Sequence, residues 1–348
     1  MRGWIIAGAV AAAGGVALTS WWGVRRLREQ HDRSAVAEPA SAPPPGPQQV
    51  AVVLNPVKER AHEAQRLIEA ACRGAGWPEP LIFETTKEDP GYTAAREALD
   101  AGADIVIPCG GDGTVRVVAE VLAGTDTAIG LVPLGTGNLL ARNLDLDVTR
   151  LAKCVHTAIF GRQRRIDTAA LTITAPDGET STHTFLVIAG AGMDAEILSD
   201  TSEDLKRVVG WMAYTEAGIR HMPGQRRRRV EISLDDGDFQ GRRVRSVLFA
   251  NCSKLPGGVD FIPGSYIDDG QLDVAIMSPR SLIGWIAMYV KIMVQHKHQL
   301  PVMQFYKARK ISIRVPEPIE TQVDGDVVGP ATQIDVEVRP ASLLVRVD

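Results

Sequence analysis

Short apolar runs alternate with amphipathic segments between residues 50 and 143. Residues 50–54 are consecutive apolar residues ended by Asn55-Pro56, a pattern typical of a buried parallel strand. Residues 115–122 place their apolar side chains on one face at the 3.6-residue period of a helix. The alternation predicts a parallel sheet between helices, with ligands at the carboxyl ends of the strands. The predicted strands are 50–54, 81–83, 105–107 and 129–132, and the predicted helices are 59–73, 92–101, 115–122 and 138–143.

The pattern changes near residue 166. From there, strand-like runs are separated or flanked by turns such as Asp236-Gly237, which are typical of antiparallel hairpins. Two longer segments interrupt them and predict helices. The second half is therefore expected to be an antiparallel, β-rich structure. Its predicted strands are 169–174, 184–188, 230–234, 244–250, 272–277, 311–315 and 334–338, and its predicted helices are 202–220 and 282–295.

The beginning of the chain differs from the rest. Residues 4–24 contain no charged side chain. As a helix this run would be about 32 Å long, enough for a bilayer core of about 30 Å. Arg25 and Arg26 follow it, whereas only Arg2 and the terminal amine precede it, so the body of the protein is expected on the cytoplasmic side. The pattern predicts a single-pass protein of the cell membrane with a cytoplasmic catalytic body. A cleaved signal peptide is the alternative, but the run is long for one and its charge lies on the wrong side.

The chain divides into four predicted segments. A length of 348 residues agrees with two folded domains, and proline and alanine are frequent between residue 25 and the first strand. We expect the active site in the cleft between the two domains. The segments are a transmembrane anchor at 4–24, a Pro/Ala-rich linker at 25–49, an α/β domain at 50–165 and a β-rich domain at 166–348.

Composition excludes several classes of protein. Apolar residues make up 45% and charged residues 23% of the chain, which is ordinary for a globular protein. The 38 basic and 42 acidic side chains give a net charge of −4, so no basic excess points to nucleic acid. The four cysteines lie far apart without a CxxC pair, which argues against a disulfide framework and a zinc site.

Two glycine-rich loops follow neighbouring predicted strands. Residues 110–114 read Gly-Gly-Asp-Gly-Thr, and residues 133–138 read Pro-Leu-Gly-Thr-Gly-Asn. Glycines let backbone N–H groups approach an anion, and a following helix N-terminus adds a positive dipole. Neither loop is the G-x-G-x-x-G dinucleotide fingerprint or a P-loop. Together they predict one site for nucleotide phosphate, while Asn138 alone would also serve as a helix cap.

A third motif, Asp324-Gly325-Asp326, lies far along the chain. Two carboxylates that flank a glycine are able to bind Mg²⁺ or to accept a proton. The same residues also suit an ordinary Asp-Gly hairpin turn. The residues alone leave both interpretations open, and they do not say which carboxylate would act.

Taken in order, the motifs resemble the diacylglycerol kinase catalytic-domain family, which includes bacterial soluble lipid kinases and sphingosine and ceramide kinases. NAD kinases and phosphofructokinases share the glycine motif alone. The resemblance implies an α/β fold with an N-terminal three-layer parallel-sheet domain, like that of NAD kinase, that binds ATP, and a β-rich domain that binds lipid. It implies transfer of the γ-phosphate of ATP, with Mg²⁺, to the hydroxyl of diacylglycerol or of a related sphingoid or glycerolipid. The motifs are Asn55-Pro56, 110–114, 133–138, 268–273 and 324–326.

The resemblance also assigns residues. Asp112 is expected to orient the nucleotide or a catalytic Mg²⁺, and either Asp324 or Asp326 is expected to accept the proton of the lipid hydroxyl. A structural Mg²⁺ is expected on the Asp269 carboxylate and the carbonyls of Tyr266 and Gln271. The implied nucleotide contacts are Asn55, Thr85 (or Thr86 in its place), Gly110, Gly111, Asp112, Gly113, Thr114, Val115, Arg116, Gly135, Thr136 and Asn138.

Three positions depart from the family pattern. The glycine loop continues into Val115-Arg116-Val117 where the family has Asn-Glu, and Leu139 replaces an aspartate in the second loop. Asp326 replaces a glutamate, which shortens the side chain by one methylene and keeps its charge. Two other functions stay open: an NAD-type kinase of soluble metabolites, and a membrane-anchored nucleotide-binding regulator. The expected partners are a lipid substrate and the membrane, not nucleic acid, and a homodimer is left open.

Overall fold

The structure is a computed structural model of the full chain. Residues 40–348 form one compact unit. The predicted anchor at 4–24, most of the predicted linker, and the predicted helices 202–220 and 282–295 lie outside the described residues. The structure describes residues 40–43, 46–192, 227–255, 259–260, 262, 264–279 and 302–348.

The single-pass location in the cell membrane, predicted from residues 4–24, is corrected. Among the helices of the described chain, none is both long and apolar enough to cross a membrane. The longest of them, Ala61–Gly74, has 14 residues. Such a helix is about 21 Å long, which is shorter than a bilayer core of about 30 Å.

The first part of the fold is the predicted parallel sheet between helices. Its strands are β1 (Val50–Leu54), β2 (Leu81–Glu84), β3 (Ile105–Gly110), β4 (Ala128–Ile129) and β5 (Val132–Pro133). β1 pairs in parallel with β2 and β3, and β3 pairs in parallel with β4 and β5. Every residue of β1 and β3 is buried, which explains their nearly unbroken apolar sequence. The helices between these strands are α1 (Ala61–Gly74), α2 (Tyr92–Asp100), α3 (Asp112–Leu122) and, after β5, α4 (Leu139–Asn143).

A helix that the sequence analysis missed completes this part. Helix α5 (Leu151–Phe160) joins the core on the α1 side of the sheet. A Cβ atom on Gly130, between β4 and β5, would lie only 2.6 Å from the Ala158 carbonyl oxygen. Gly130 therefore allows the helix to approach the sheet closely, and it divides the predicted strand 129–132 into two short strands.

The second part is antiparallel and β-rich, as predicted. Its strands are β6 (Arg162–Thr174), β7 (Thr180–Phe185), β8 (Ile188–Gly192), β9 (Arg228–Leu234), β10 (Gln240–Val244), β11 (Ser246–Ala250), β12 (Lys254–Leu255), β13 (Val259–Asp260), β14 (Leu272–Met277), β15 (Met303–Ala308), β16 (Lys310–Val323) and β17 (Asp326–Val347). Strand β15 was not predicted from the sequence. These strands continue the same hydrogen-bonded sheet in the order β15-β14-β11-β8-β16-β17, and β17 then pairs with β4.

Strand β17 joins the two parts. It is paired with β6 along most of its 22 residues, and near its end Val345 pairs in parallel with Ile129 of β4. Val345 and Leu343 are fully buried in the same core cluster as Val106 of β3. The last strand thus returns to the parallel sheet at its carboxyl end.

Candidate active site

The ends of the parallel strands bring the predicted nucleotide contacts to one edge of the sheet. Asn55 follows β1, and its N–H donates to the Cys109 carbonyl at 3.0 Å. Thr85 follows β2, and its N–H donates to the Leu54 carbonyl at 2.8 Å. The two glycine loops follow β3 and β5 at the same edge. This is the edge at which ligands bind in parallel α/β sheets.

The two glycine loops lie against each other. A Cβ atom on Gly135 would lie 2.9 Å from the Gly111 Cα atom, and one on Gly137 would lie 2.8 Å from Asp112 Oδ2. A Cβ atom on Gly111 itself would meet nothing closer than 3.7 Å. Glycine is therefore needed at positions 135 and 137 for the loops to pack, whereas a Cβ atom at position 111 would make only ordinary van der Waals contacts.

Asp112 ties the two loops together. Its carboxylate accepts the N–H groups of Asn138 at 2.9 Å and Leu139 at 2.6 Å, at the N-terminus of α4. Asn138 has a φ of 48° and closes its own loop, since its side-chain amide accepts the Gly135 N–H at 2.9 Å and donates to the Gly135 carbonyl at 2.7 Å. The side chains of Asp112 and Asn138 thus form hydrogen bonds that hold the two loops in their conformation.

The other predicted loop residues differ in exposure. Thr114 is buried against Gly110, where a Cβ atom would lie 2.6 Å from the Thr114 side chain. Val115 is buried as well, so both residues support the strand-to-helix turn. Thr136 is exposed at the tip of the second loop and is free to meet a ligand.

The late motif reaches the glycine loop from more than 200 residues away. Asp326 Oδ2 lies 2.8 Å from Arg116 Nη2 and 3.9 Å from the place of a Cβ atom on Gly113. The Asp326 side chain is 60% exposed, so its carboxylate faces solvent beside the loop. Asp326 and the glycine loop therefore share one site.

Asp324 has a different environment. It begins a two-residue hairpin turn with positive φ angles at Asp324 and Gly325, as the Asp-Gly sequence favours. Its carboxylate accepts three backbone N–H groups at 2.8–3.0 Å, from the residues that connect β7 to β8. Burial raises the pKa of Asp324 to about 6, against the opposing effect of these donors and of Arg116. The three donors are Leu186, Val187 and Ile188.

Two basic side chains at the loops were missed by the sequence analysis. Lys58 Nζ lies 3.7 Å from the place of a Cβ atom on Gly111. Arg142, in α4, donates its Nε–H to the Gly137 carbonyl at 2.8 Å. Lys58 comes three residues after Asn55, just beyond the end of β1. The rule that ligands bind at the carboxyl ends of parallel strands would have identified it.

The chain matches two family models in succession. The diacylglycerol kinase catalytic domain matches residues 49–171, and the YegS C-terminal NAD kinase beta sandwich-like domain matches residues 187–347. A probable lipid kinase YegS-like of Pseudomonas fluorescens is 32% identical over 237 residues, which cover 65% of this chain and 73% of that relative. The chain belongs to the diacylglycerol kinase family of lipid kinases. The resemblance seen in the sequence motifs is thereby confirmed, and membership of this kinase family implies the use of ATP.

Other relatives agree with this family. A diacylglycerol kinase of Bacillus subtilis is 28% identical over 283 residues, which cover 80% of this chain and 89% of that protein. The crystal structure of a putative diacylglycerol kinase from Bacillus anthracis has a TM-score of 0.69 at 22% identity, over 86% of this chain and 98% of that one. Yeast NADH kinase, solved with NADH, has a TM-score of 0.52 at 13% identity, over 89% of this chain and 88% of that one. These two structures share the fold of the lipid kinase described here.

The turn expected to hold a structural Mg²⁺ already contains a cation. The Asp269 carboxylate accepts the Gln271 N–H at 3.0 Å through one oxygen and pairs with the Lys307 ammonium at 2.5 Å through the other. Lys307 also lies 3.6 Å from Asp273. Tyr266 opens the same turn, and within the described chain there is no group of three or more His, Cys, Asp or Glu side chains suited to a metal. In the structure the Lys307 ammonium pairs with the Asp269 carboxylate, and the Mg²⁺ site expected on this carboxylate and two carbonyls stays a prediction.

The protonation of Asp324 makes stability depend on pH. Its pKa rises from the ordinary 3.8 to about 6 in the folded protein. The folded state therefore binds the proton more tightly, so this stabilisation is full below about pH 4 and is lost as the pH rises through about 6. We expect the free energy of unfolding of the wild type, relative to Asp324→Asn, to fall by about 2 kcal/mol between pH 4 and pH 7.

Urea unfolding of both proteins at several pH values measures this difference. Asp238→Asn, at an exposed aspartate on the turn after β9, is the matched control and should follow the wild type at every pH. A constant difference between wild type and Asp324→Asn across the range would contradict the expectation.

Proposed function

We propose that this lipid kinase transfers the γ-phosphate of ATP to the hydroxyl of diacylglycerol and forms phosphatidic acid. The observation that carries the proposal is the contact of Asp326 with the glycine loop through Arg116, since it joins a carboxylate to a phosphate-binding loop. The Bacillus subtilis relative, named a diacylglycerol kinase, supports the choice of acceptor. In this proposal residues 50–165 bind the nucleotide, and residues 166–348 bind the lipid and contribute Asp326.

The glycine loops would bind the phosphates of ATP. Gly111 caps the N-terminus of α3, where free backbone N–H groups and the helix dipole favour an anion. The Lys58 ammonium lies beside Gly111 and adds a full positive charge. Fixed donors of this kind stabilise the charge of the transferring phosphoryl group without rearrangement during the reaction.

Asp326 is the proposed proton acceptor. Asp324 is less suited to the role, because its carboxylate already accepts three backbone N–H groups away from solvent. Asp326 is exposed beside the loop, where a lipid hydroxyl can approach both its carboxylate and the terminal phosphate. Mg²⁺ would enter bound to the phosphates of ATP, as is usual for this ion, and would neutralise their charge.

A transfer assay tests the proposal. The purified full chain is incubated with radiolabelled [γ-³²P]ATP and detergent micelles that contain diacylglycerol, ceramide or sphingosine, and in parallel with NAD. We expect label in phosphatidic acid, with much less in the other acceptors. The Asp326→Asn protein, prepared in the same way, controls for contaminating kinases.

Other outcomes identify the alternatives. Label in a phosphorylated ceramide or sphingosine would identify that lipid, instead of diacylglycerol, as the acceptor. Label in NADP would show that the acceptor is not a lipid. ATP binding without transfer to any acceptor would indicate a nucleotide-binding regulator instead of an enzyme.

A further inference from the structure

Arg116 occupies an unusual position for a surface arginine. It lies in α3, beside the glycine loop, and its side chain is only 12% exposed, although it pairs with an Asp326 side chain that is 60% exposed. Its Nε–H is buried and has no hydrogen-bond partner among the described residues. A buried donor without a partner costs about 1–3 kcal/mol, whereas an ion pair whose carboxylate is exposed to solvent contributes about 0–1 kcal/mol. Stability therefore does not explain why an arginine stands here.

The carboxylate of Asp326 depends on Arg116 for its position. Asp326 follows the two-residue turn at Asp324-Gly325, and within the described chain only Arg116 bonds to its carboxylate. The pair joins α3 to the hairpin of β16 and β17 across 210 residues of sequence. Without the guanidinium, the exposed side chain of Asp326 would be free to take other rotamers, away from Gly113.

We propose that Arg116 is a positioning residue, which holds the short Asp326 carboxylate against the glycine loop for its action on the acceptor hydroxyl. The proposal rests on the proposed function, in which Asp326 accepts the proton. In this role Arg116 contributes to turnover through Asp326, and it contributes little to the binding of ATP.

A double-mutant cycle tests this role, with kcat and the KM for ATP measured for Arg116→Gln, Asp326→Asn and the double variant. We expect Arg116→Gln to lower kcat by about 10-fold or more, within the range of general-base effects, with the KM for ATP changed less than about threefold. In the Asp326→Asn background the same substitution should change kcat less than about twofold, because the group it positions is already inactive. Arg116→Lys, which keeps the charge without the planar fork, should retain part of the activity.

A matched control variant and two contradicting results define the test of the positioning role of Arg116. Arg150→Gln removes an exposed arginine that pairs with Asp147 away from the site, and it should leave both constants unchanged. A large rise in the KM for ATP with kcat unchanged would make Arg116 a nucleotide contact, and equal losses in both backgrounds would remove its link to Asp326. Either result overturns this inference. Full activity of Asp326→Asn alone would instead overturn the proposed role of Asp326.

Discussion

We expect replacement of Asp326 by Asn to lower lipid phosphorylation by at least about 100-fold, through loss of the proposed general base. The substitution keeps the shape of the side chain and removes its charge. Asp326 is exposed, and within the described chain its carboxylate bonds only to Arg116, so the fold should be retained. ATP binding should also be retained, because proton transfer acts in the transition state and not in the ground-state complex.

The measurement compares the rate of phosphate transfer with the Kd for ATP from calorimetry, at equal fractions of folded protein. Asp238→Asn, at an exposed aspartate outside the site, is the matched control and should be as active as the wild type. If residues 324–326 were only a hairpin turn, Asn would be accepted readily there. Near-normal transfer by Asp326→Asn would then remove this carboxylate from the reaction.

The second large effect is expected at Gly111. The backbone there has a φ of −93°, which any residue adopts, and a Cβ atom would meet nothing closer than 3.7 Å. Gly111→Val should therefore fold, but its side chain would fill the space beside the loop and keep phosphate from the N–H groups. We expect the Kd for ATP to rise at least about 100-fold, or about 2.7 kcal/mol.

Calorimetry with ATP and a thermal melt of the same sample separate binding from folding. Gly241→Val, on the exposed strand β10 with open space around it, is the matched control and should leave ATP binding unchanged. Gly135→Val is a contrasting variant, because its Cβ atom would lie 2.9 Å from Gly111 Cα and would disturb the packing of the loops themselves. Unchanged ATP affinity in a folded Gly111→Val protein would exclude this loop from the nucleotide site.

Local sequence patterns predicted the strands whose environment is uniform and missed features set by distant pairing. β1 and β14 have the predicted bounds because each is fully buried along its length. β17 was predicted only at 334–338, whereas the strand extends from 326 to 347 and contains Pro330 and Pro340. It continues through both prolines because β16 and β6 pair with it, with shifts of register between residues 314 and 319 and between 339 and 343. Helix α5 does have a local signal, because apolar residues recur at helical spacing over 151–159.

The candidate site was predictable in its backbone and less so in its side chains. Glycines at strand ends identify a phosphate loop because they let backbone N–H groups approach an anion, and this depends on local geometry alone. The different surroundings of Asp324 and Asp326 depend on which carboxylate meets the N–H groups of residues 186–188, a contact across 136–138 residues. The place of Lys58 beside Gly111 likewise depends on how the turn after β1 packs against the loop.

Because β17 pairs with β4, the parallel sheet is completed late during synthesis of the chain. Ile129 of β4 meets Val345, which leaves the ribosome more than 200 residues later. Until then the parallel sheet has an unpaired edge at β4, and exposed edges of this kind are templates for aggregation. The parallel sheet thus cannot close as an early unit, and its completion waits for the strand that also carries Asp326. Assembly of the site and closure of the sheet are in this way one late event.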